Sequence, residues 1–452
     1  MDVELLSRIQ FALTVTFHYF FPPISIGLGL LLVFMEGMYL RTKDPLWERL
    51  TRFWVKIFAI VFAVGVASGI VMEFQFGTNW ATYSRYVGDI FGSALAAEGV
   101  FAFFLESGFL AVLVFGWNRV TPKVHFLSTV LVCLGSTFSA VWIVVANSWM
   151  HTPAGFVIEG TGLAERARIT DFWAMVFNPS AMIRLAHVVA GSWATGAFLV
   201  ISVAAFYLLK KRHQDFAVAS MKVAVPLAIL AVLLQPVLGH FSVEVVAEHQ
   251  PAKLAAFEGH YDSTRPMDLY LLGWTNPETE MTVGLALPGM ASFLLAGSRE
   301  TAIKGLDQVP LEDRPPVAVV FQAYHLMVAM GMAMIVLALV TAFKLRRGTL
   351  AASPKWLKLL VPAVLLPHIA NLSGWYAAEM GRQPWIVQDM LRTSEALSKA
   401  VKAEQVLGSI VMFLLVYGLL FCLFVFLIDT KIKEGPTDSG TDSAPGQATV
   451  GI

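Results

Sequence analysis

Charge is scarce in this chain: only 14% of its 452 residues are Asp, Glu, Lys or Arg, against about 25% in ordinary soluble domains. That is too little to solvate a soluble surface. Acidic and basic residues balance at 32 each, so the basic excess expected of a nucleic-acid partner is missing. Cysteine is nearly absent. Cys133 and Cys422 both lie in apolar runs, which excludes a disulfide framework and a covalent CxxCH haem attachment. Any cofactor is therefore held non-covalently. The N-terminus lacks the basic region and small-residue cleavage site of a removable signal, so the first hydrophobic segment is expected to remain.

Apolar residues fill the space that charge leaves. They make up 57% of the chain, mean hydropathy is +0.67, and runs long enough to cross a bilayer lie near 11–39, 54–76, 93–116, 126–147, 182–208, 218–240, 317–343, 356–377 and 405–429. The expected fold is all-α, a polytopic integral membrane bundle of about nine helices. Arg41, Lys43, Arg49 and Arg52, then Arg119 and Lys123, then Lys210, Lys211 and Arg212, then Lys344, Arg346, Arg347 and Lys355, then Lys431 and Lys433 fall in alternate connections and after the last helix. They share one side. The positive-inside rule then puts the N-terminus outside and the C-terminus in the cytoplasm.

Ionisable and soft-ligand residues in hydrocarbon are costly and mark cofactors or pathways. His18 lies in the first helix about two turns from its outer end, His187 in the fifth, one turn after Arg184, and Met327 in the outer half of the seventh. An imidazole and a thioether facing each other across a bundle make a six-coordinate haem site with little room for another ligand. In the third helix Glu98 and Glu106 are eight apart, so they project within roughly 80° of each other and about 12 Å apart along the axis. With Ser136, Ser139 and Asn147 of the next helix they form a candidate relay for protons from the cytoplasm. The competing role for the two carboxylates is structural, each bonded to a neighbouring helix.

Near the outer end of the eighth helix runs Gly374-Trp375-Tyr376, then Glu379, then Gly381-Arg382-Gln383-Pro384-Trp385. Glu379 and Arg382 share a helix face and can pair, and Pro384 stops the helix. The string resembles the signature of subunit I of the cytochrome bd quinol oxidases. Gly69 to Trp80, Glu98 with Glu106, and Trp142 with Asn147-Ser148-Trp149-Met150 resemble further segments of that family in family order, so the resemblance spans His18 to Trp385.

The resemblance implies a terminal oxidase of the bacterial cytoplasmic (inner) membrane that oxidises quinol outside and reduces dioxygen to water. It implies a low-spin haem b on His187 and Met327, and a high-spin haem b with a haem d (or a further haem b) near His18, Glu98 and Glu379, with Trp375 and Arg382 beside them. Which high-spin haem each residue serves stays open, as does ubiquinol against menaquinol. Residues 241–316 form an unusually long connection, and Lys253-Leu-Ala-Ala-Phe-Glu258 within it resembles the family's quinol-binding loop in its shorter form. Lys253 and Glu258 would contact the quinol. His325 departs from the family, where many relatives have Arg beside the low-spin haem. Implied partners are subunit II, a single-helix accessory subunit, and lipid.

The chain thus divides into 1–240 with six helices and the haem and proton-path residues, the outer loop 241–316, helices seven to nine in 317–430, and a disordered cytoplasmic tail 431–452. Two other classes compete. A proton-coupled transporter would show broken helices at mid-membrane, and a haem-bearing quinol dehydrogenase would lack an open coordination position.

Overall fold

A computed structural model describes residues 2–436. Among these, nine helices are long and apolar enough to cross a membrane: Val3–Thr42, Pro45–Thr78, Gly88–Phe115, Pro122–His151, Ala181–Leu209, Gln214–His249, Leu311–Arg346, Pro354–Met380 and Ala403–Glu434. They are called the first to ninth spans below. Local chemistry sets several of their starts. Asp44 accepts from the Leu46 amide ahead of Pro45, and Thr121 accepts from the Val124 amide ahead of Pro122, the arrangement of side-chain cap and first-turn proline that satisfies orphaned backbone donors.

The first span starts eight residues earlier than expected and breaks midway, between helices Val3–His18 and Pro22–Thr42. Consecutive prolines at 22 and 23 supply no amide hydrogens and crowd the preceding turn. His18 therefore sits at a mid-span kink rather than two turns from an end. Below the kink, the first and fifth spans touch backbone to backbone: a Cβ on Gly27 would lie 2.2 Å from the Ser192 carbonyl oxygen. Small residues allow that approach, which suits helices that must associate in lipid by packing alone.

Pro226 and Pro236 lie inside one continuous helix, Gln214–His249. It runs nine residues into the expected loop because no stop comes before Gln250-Pro251. The last span likewise reaches Glu434, where Lys431 pairs with Glu434 and Lys433 with Asp429. Residues 431–434 of the expected tail are thus helical, and 437–452 lie outside the described residues. Between the sixth and seventh spans, the connection folds into a short helix, Pro251–Glu258, and an antiparallel hairpin of β1 (Leu269–Asn276) and β2 (Met281–Leu287).

The basic connections gather at one end of the bundle. Arg49 pairs with Asp215, the Tyr207 hydroxyl donates to the Ile432 carbonyl at 2.8 Å, Arg212 donates to Lys433, and the Arg52 guanidinium lies 4.3 Å from the centre of the Trp117 ring. The quinol-loop candidate and the Gly381-to-Trp385 turn share the other end, tied to the fourth span by the Gln388 amide on the Met150 carbonyl.

Candidate functional site

At the kink, His18 Nδ1 is 3.0 Å from the Ser68 hydroxyl, and Ser68 donates to the Gly65 carbonyl at 2.9 Å. A hydroxyl has one proton, so Ser68 accepts from Nδ1–H. The imidazole is fixed in the tautomer that leaves the Nε2 lone pair free, which is how a second partner prepares a metal-binding histidine. A Cβ at Gly69 would press on the His18 ring at 3.2 Å.

His187, in the second turn of the fifth span, has a buried Nδ1 without a hydrogen-bond partner, and its carbonyl accepts from Gln235 at 3.1 Å. Gly239, one turn beyond Gln235, faces its ring. Met327 points at the eighth span, where a Cβ on Gly374 would lie 2.8 Å from its sulfur. One level joins the two sites: a Cβ at Gly191, four residues after His187, would meet Asn371, three residues before Gly374. Imidazole, thioether and the glycine-lined faces between them fit a flat macrocycle with axial ligands from two helices. Trp375 ties the two regions together, its ring 5.5 Å from Tyr19 next to His18 and 5.7 Å from the Arg184 guanidinium one turn before His187.

Glu379 is the hub of a charged cluster. Its Oε1 accepts from Asn147 Nδ2 and His151 Nε2, both at 3.0 Å, with Arg184 at 3.7 Å, and its Oε2 accepts from Arg382 at 2.5 Å. Of about four lone-pair positions on a carboxylate, one on Oε2 stays open to an iron. Arg382 also donates to the Trp385 and Ile386 carbonyls, which clamps the turn on its own helix end. His151 extends the cluster to the loop: Lys253 Nζ lies 2.8 Å from its Nδ1 and 2.7 Å from Gln250 Oε1. Because Nε2 donates to the carboxylate, Nδ1 accepts from the amine, and Lys253, His151 and Glu379 form a directed chain. Burial, reinforced by Arg184, holds the Lys253 ammonium well below the usual lysine range.

Lys253 and Glu258 do not converge. Five residues apart on one helix, they project roughly 140° from each other: Lys253 enters the Glu379 cluster, while Glu258 is 3.9 Å from His325 with a buried, unpartnered Oε2. Burial pushes its carboxyl up to about 8. His325, the departure from the family, contacts the Phe321 carbonyl at 2.8 Å and the Tyr270 carbonyl at 3.0 Å, so it fastens the hairpin to the seventh span.

Glu98 and Glu106 meet the fourth span as a pair. Ser139 donates to Glu98 at 2.8 Å and Ser136 to Glu106. A five-residue π turn at Gly99–Phe103 separates the carboxylates. Its wider coil turns both toward one neighbour, and π turns recur at functional positions. The sequence reading missed that turn, and it missed His151, Gln250 and Ser68. His151 was within reach, since it follows Asn147 by one helical turn on the same face.

Residues 6–436 match a family model described as cytochrome bd terminal oxidase subunit I. The chain belongs to that family. It is 38% identical to the cytochrome bd ubiquinol oxidase subunit 1 of Bacillus subtilis over 98% of this chain and 97% of that one. It is 34% identical to the cytochrome bd-II ubiquinol oxidase subunit 1 of Escherichia coli over 96% and 97%. Its fold superposes on the bd oxidase of Geobacillus thermodenitrificans with a TM-score of 0.89 at 30% identity, covering 96% of this chain and 99% of that one. As a cytochrome bd subunit I, the chain is a multi-pass bacterial membrane protein and an oxidoreductase of the terminal oxidase class, which sets the transporter reading aside although the broken first span matches its signature.

Proposed function

We propose that this subunit oxidises quinol at the 241–316 loop and reduces dioxygen to water beside His18 and Glu98. Two quinols yield four electrons and four protons, and one dioxygen takes up four of each to give two waters. The observation that carries the reading is the level shared by His187, Gly374 and Met327, a ligand pair suited to a low-spin haem b. The high-spin haem b and the haem d, or a further haem b, would lie near His18, Glu98 and Glu379. Haem held there would supply electron transfer at the first position and dioxygen reduction in the second region.

The chain's own residues do the rest. A neutral Glu258 can donate a hydrogen bond to the quinol head, and Lys253, on the other side of the same helix, links the loop to the Glu379 cluster through His151. Arg184 and Arg382 orient Glu379. Ser136 and Ser139 hold Glu106 and Glu98 in line for proton delivery, with Glu106 nearer the basic end. That end faces the cytoplasm by the positive-inside rule and the loop faces outward, so quinol protons leave outside and protons for water come from within. Each charge so moved is worth about 2.3 kcal/mol per 100 mV. A subunit II, and a single-helix accessory subunit, would cover apolar surface of the bundle. Quinol-dependent oxygen consumption by the purified complex, with haem extracted and counted, tests the reading: a colourless complex without oxygen uptake would refute it.

A further inference from the structure

The fourth span carries a ladder of polar side chains from one end to the other. His125, Thr129, Ser136, Ser139, Asn147 and His151 fall within a sector of about 120° on a regular helix. Each rung holds a carboxylate from another span. Asn147 and His151 hold Glu379, Ser139 holds Glu98, and Ser136 holds Glu106. The last rung plays no part in the function proposed above. There His125 Nδ1 lies 2.6 Å from Glu36 Oε1, and Thr129 contacts Glu36 Oε2. All three residues are 1% exposed, at the basic end of the bundle.

The contacts of this trio fix where its hydrogens lie. His125 Nε2 faces the Leu113 carbonyl at 3.1 Å. A carbonyl only accepts, so Nε2 carries a hydrogen, and one proton is shared between Nδ1 and Glu36 Oε1. Thr129 sits between Glu36 Oε2 and the His125 carbonyl at 3.2 Å, and Ser136 sits in the same way between Glu106 and the Val132 carbonyl at 3.2 Å. Each hydroxyl has a single proton for two acceptors. It donates to the carboxylate when that is ionised and turns to its own helix when the carboxylate is protonated.

Thr129 and Ser136 are seven residues apart, about 10 Å along the axis. Cys133 lies in that interval opposite Gly29, seven residues before Glu36, where an added Cβ would find its first neighbours at 3.5 Å. On the far side, the Trp117 ring lies 4.1 Å from the His125 ring, and Arg52 lies over Trp117.

We propose that Glu36, His125 and Thr129 are the loading station of the proton relay that continues through Glu106 and Glu98. When a proton leaves Glu36 Oε2 for Thr129 Oγ1, the Thr129 hydroxyl turns from the His125 carbonyl and gives its own proton to a water, which hands a proton on toward Glu106. This inference rests on the reading that Glu106 carries protons for oxygen reduction.

The test uses the complete haem-loaded oxidase in proteoliposomes, following proton uptake after an oxygen pulse in Glu36→Gln, Glu36→Asp and Glu106→Gln. Glu36→Gln is expected to slow uptake at least tenfold while quinol still reduces the low-spin haem at the wild-type rate, and Glu36→Asp, which can still ionise, restores uptake. A merely structural Glu36 would not distinguish Gln from Asp in this way. Wild-type uptake in Glu36→Gln alongside blocked uptake in Glu106→Gln overturns the loading station and leaves the relay standing. Wild-type uptake in Glu106→Gln overturns the relay itself. Should Glu36→Gln fail to assemble with haem, Thr129→Val decides, since it removes only a hydroxyl: slowed uptake supports the proposal and wild-type uptake refutes it.

Discussion

Tyr19, the residue after His18, meets Trp375, the residue after Gly374, edge to face with ring centroids 5.5 Å apart. That contact joins the kink of the first span to the level at which Met327 approaches the eighth. It places the candidate oxygen-reducing region beside the candidate electron-receiving one, with this aromatic pair between them. Trp375→Ala is therefore expected to leave haem content in place and slow reoxidation of the low-spin haem by dioxygen several-fold in stopped-flow measurements; wild-type reoxidation would assign the Trp375 ring a packing role only.

His187→Ala or Met327→Leu removes one axial ligand and opens a coordination position. The low-spin absorbance should disappear selectively in each, and the remaining haem absorbance should persist. Loss of all haem from both variants would mean that these residues hold the bundle together instead.

At the loop, Lys253→Ala together with Glu258→Ala should lower quinol turnover at least tenfold. Dioxygen should still oxidise the dithionite-reduced enzyme at the wild-type rate, because that reaction needs no quinol at the loop. Unchanged turnover and KM in the double variant would move the quinol head elsewhere.

Glu106→Gln keeps size and hydrogen bonding to Ser136 but cannot ionise. Electron transfer to the low-spin haem should survive while steady-state oxygen consumption falls by more than tenfold. Consumption at the wild-type rate would leave Glu106 as a structural partner of Ser136.

Glu258 gives the fold a pH dependence of known sign. Its folded carboxyl lies at about 8, raised from 4.5 by burial, so the folded state holds a proton that the unfolded chain has already lost. The contribution is complete below pH 4.5 and disappears as pH rises through about 8. Glu258→Gln stays neutral throughout. Its Tm should fall less than the wild-type Tm between pH 6 and pH 9, and equal falls would show that Glu258 is ionised at both.

The nine spans were legible because each is an apolar run longer than a bilayer, and Glu98, Glu106, His18 and His187 stood out because such groups rarely occur there. Partnership was harder to read. His151 and Glu379 are 228 residues apart and His125 and Glu36 are 89 apart, so only the packed bundle brings them together. The kink after His18 was written in Pro22 and Pro23, yet the apolar run across it concealed the break. The hairpin was legible in principle, since Asn276-Pro277-Glu278-Thr279-Glu280 is a turn-rich stretch between two segments rich in strand-forming residues. The π turn at Gly99 has no signature in the residues themselves.

The most direct measurement of the central claim is one optical spectrum of the purified protein, reduced, with and without carbon monoxide, repeated for His187→Ala. The wild-type protein should show a low-spin component that ignores carbon monoxide beside high-spin haem that binds it, and the variant should lose the first component alone. A wild-type protein from haem-replete cells with no haem absorbance, or one whose haem is entirely low-spin and indifferent to carbon monoxide, would contradict the assignment of dioxygen reduction to this chain.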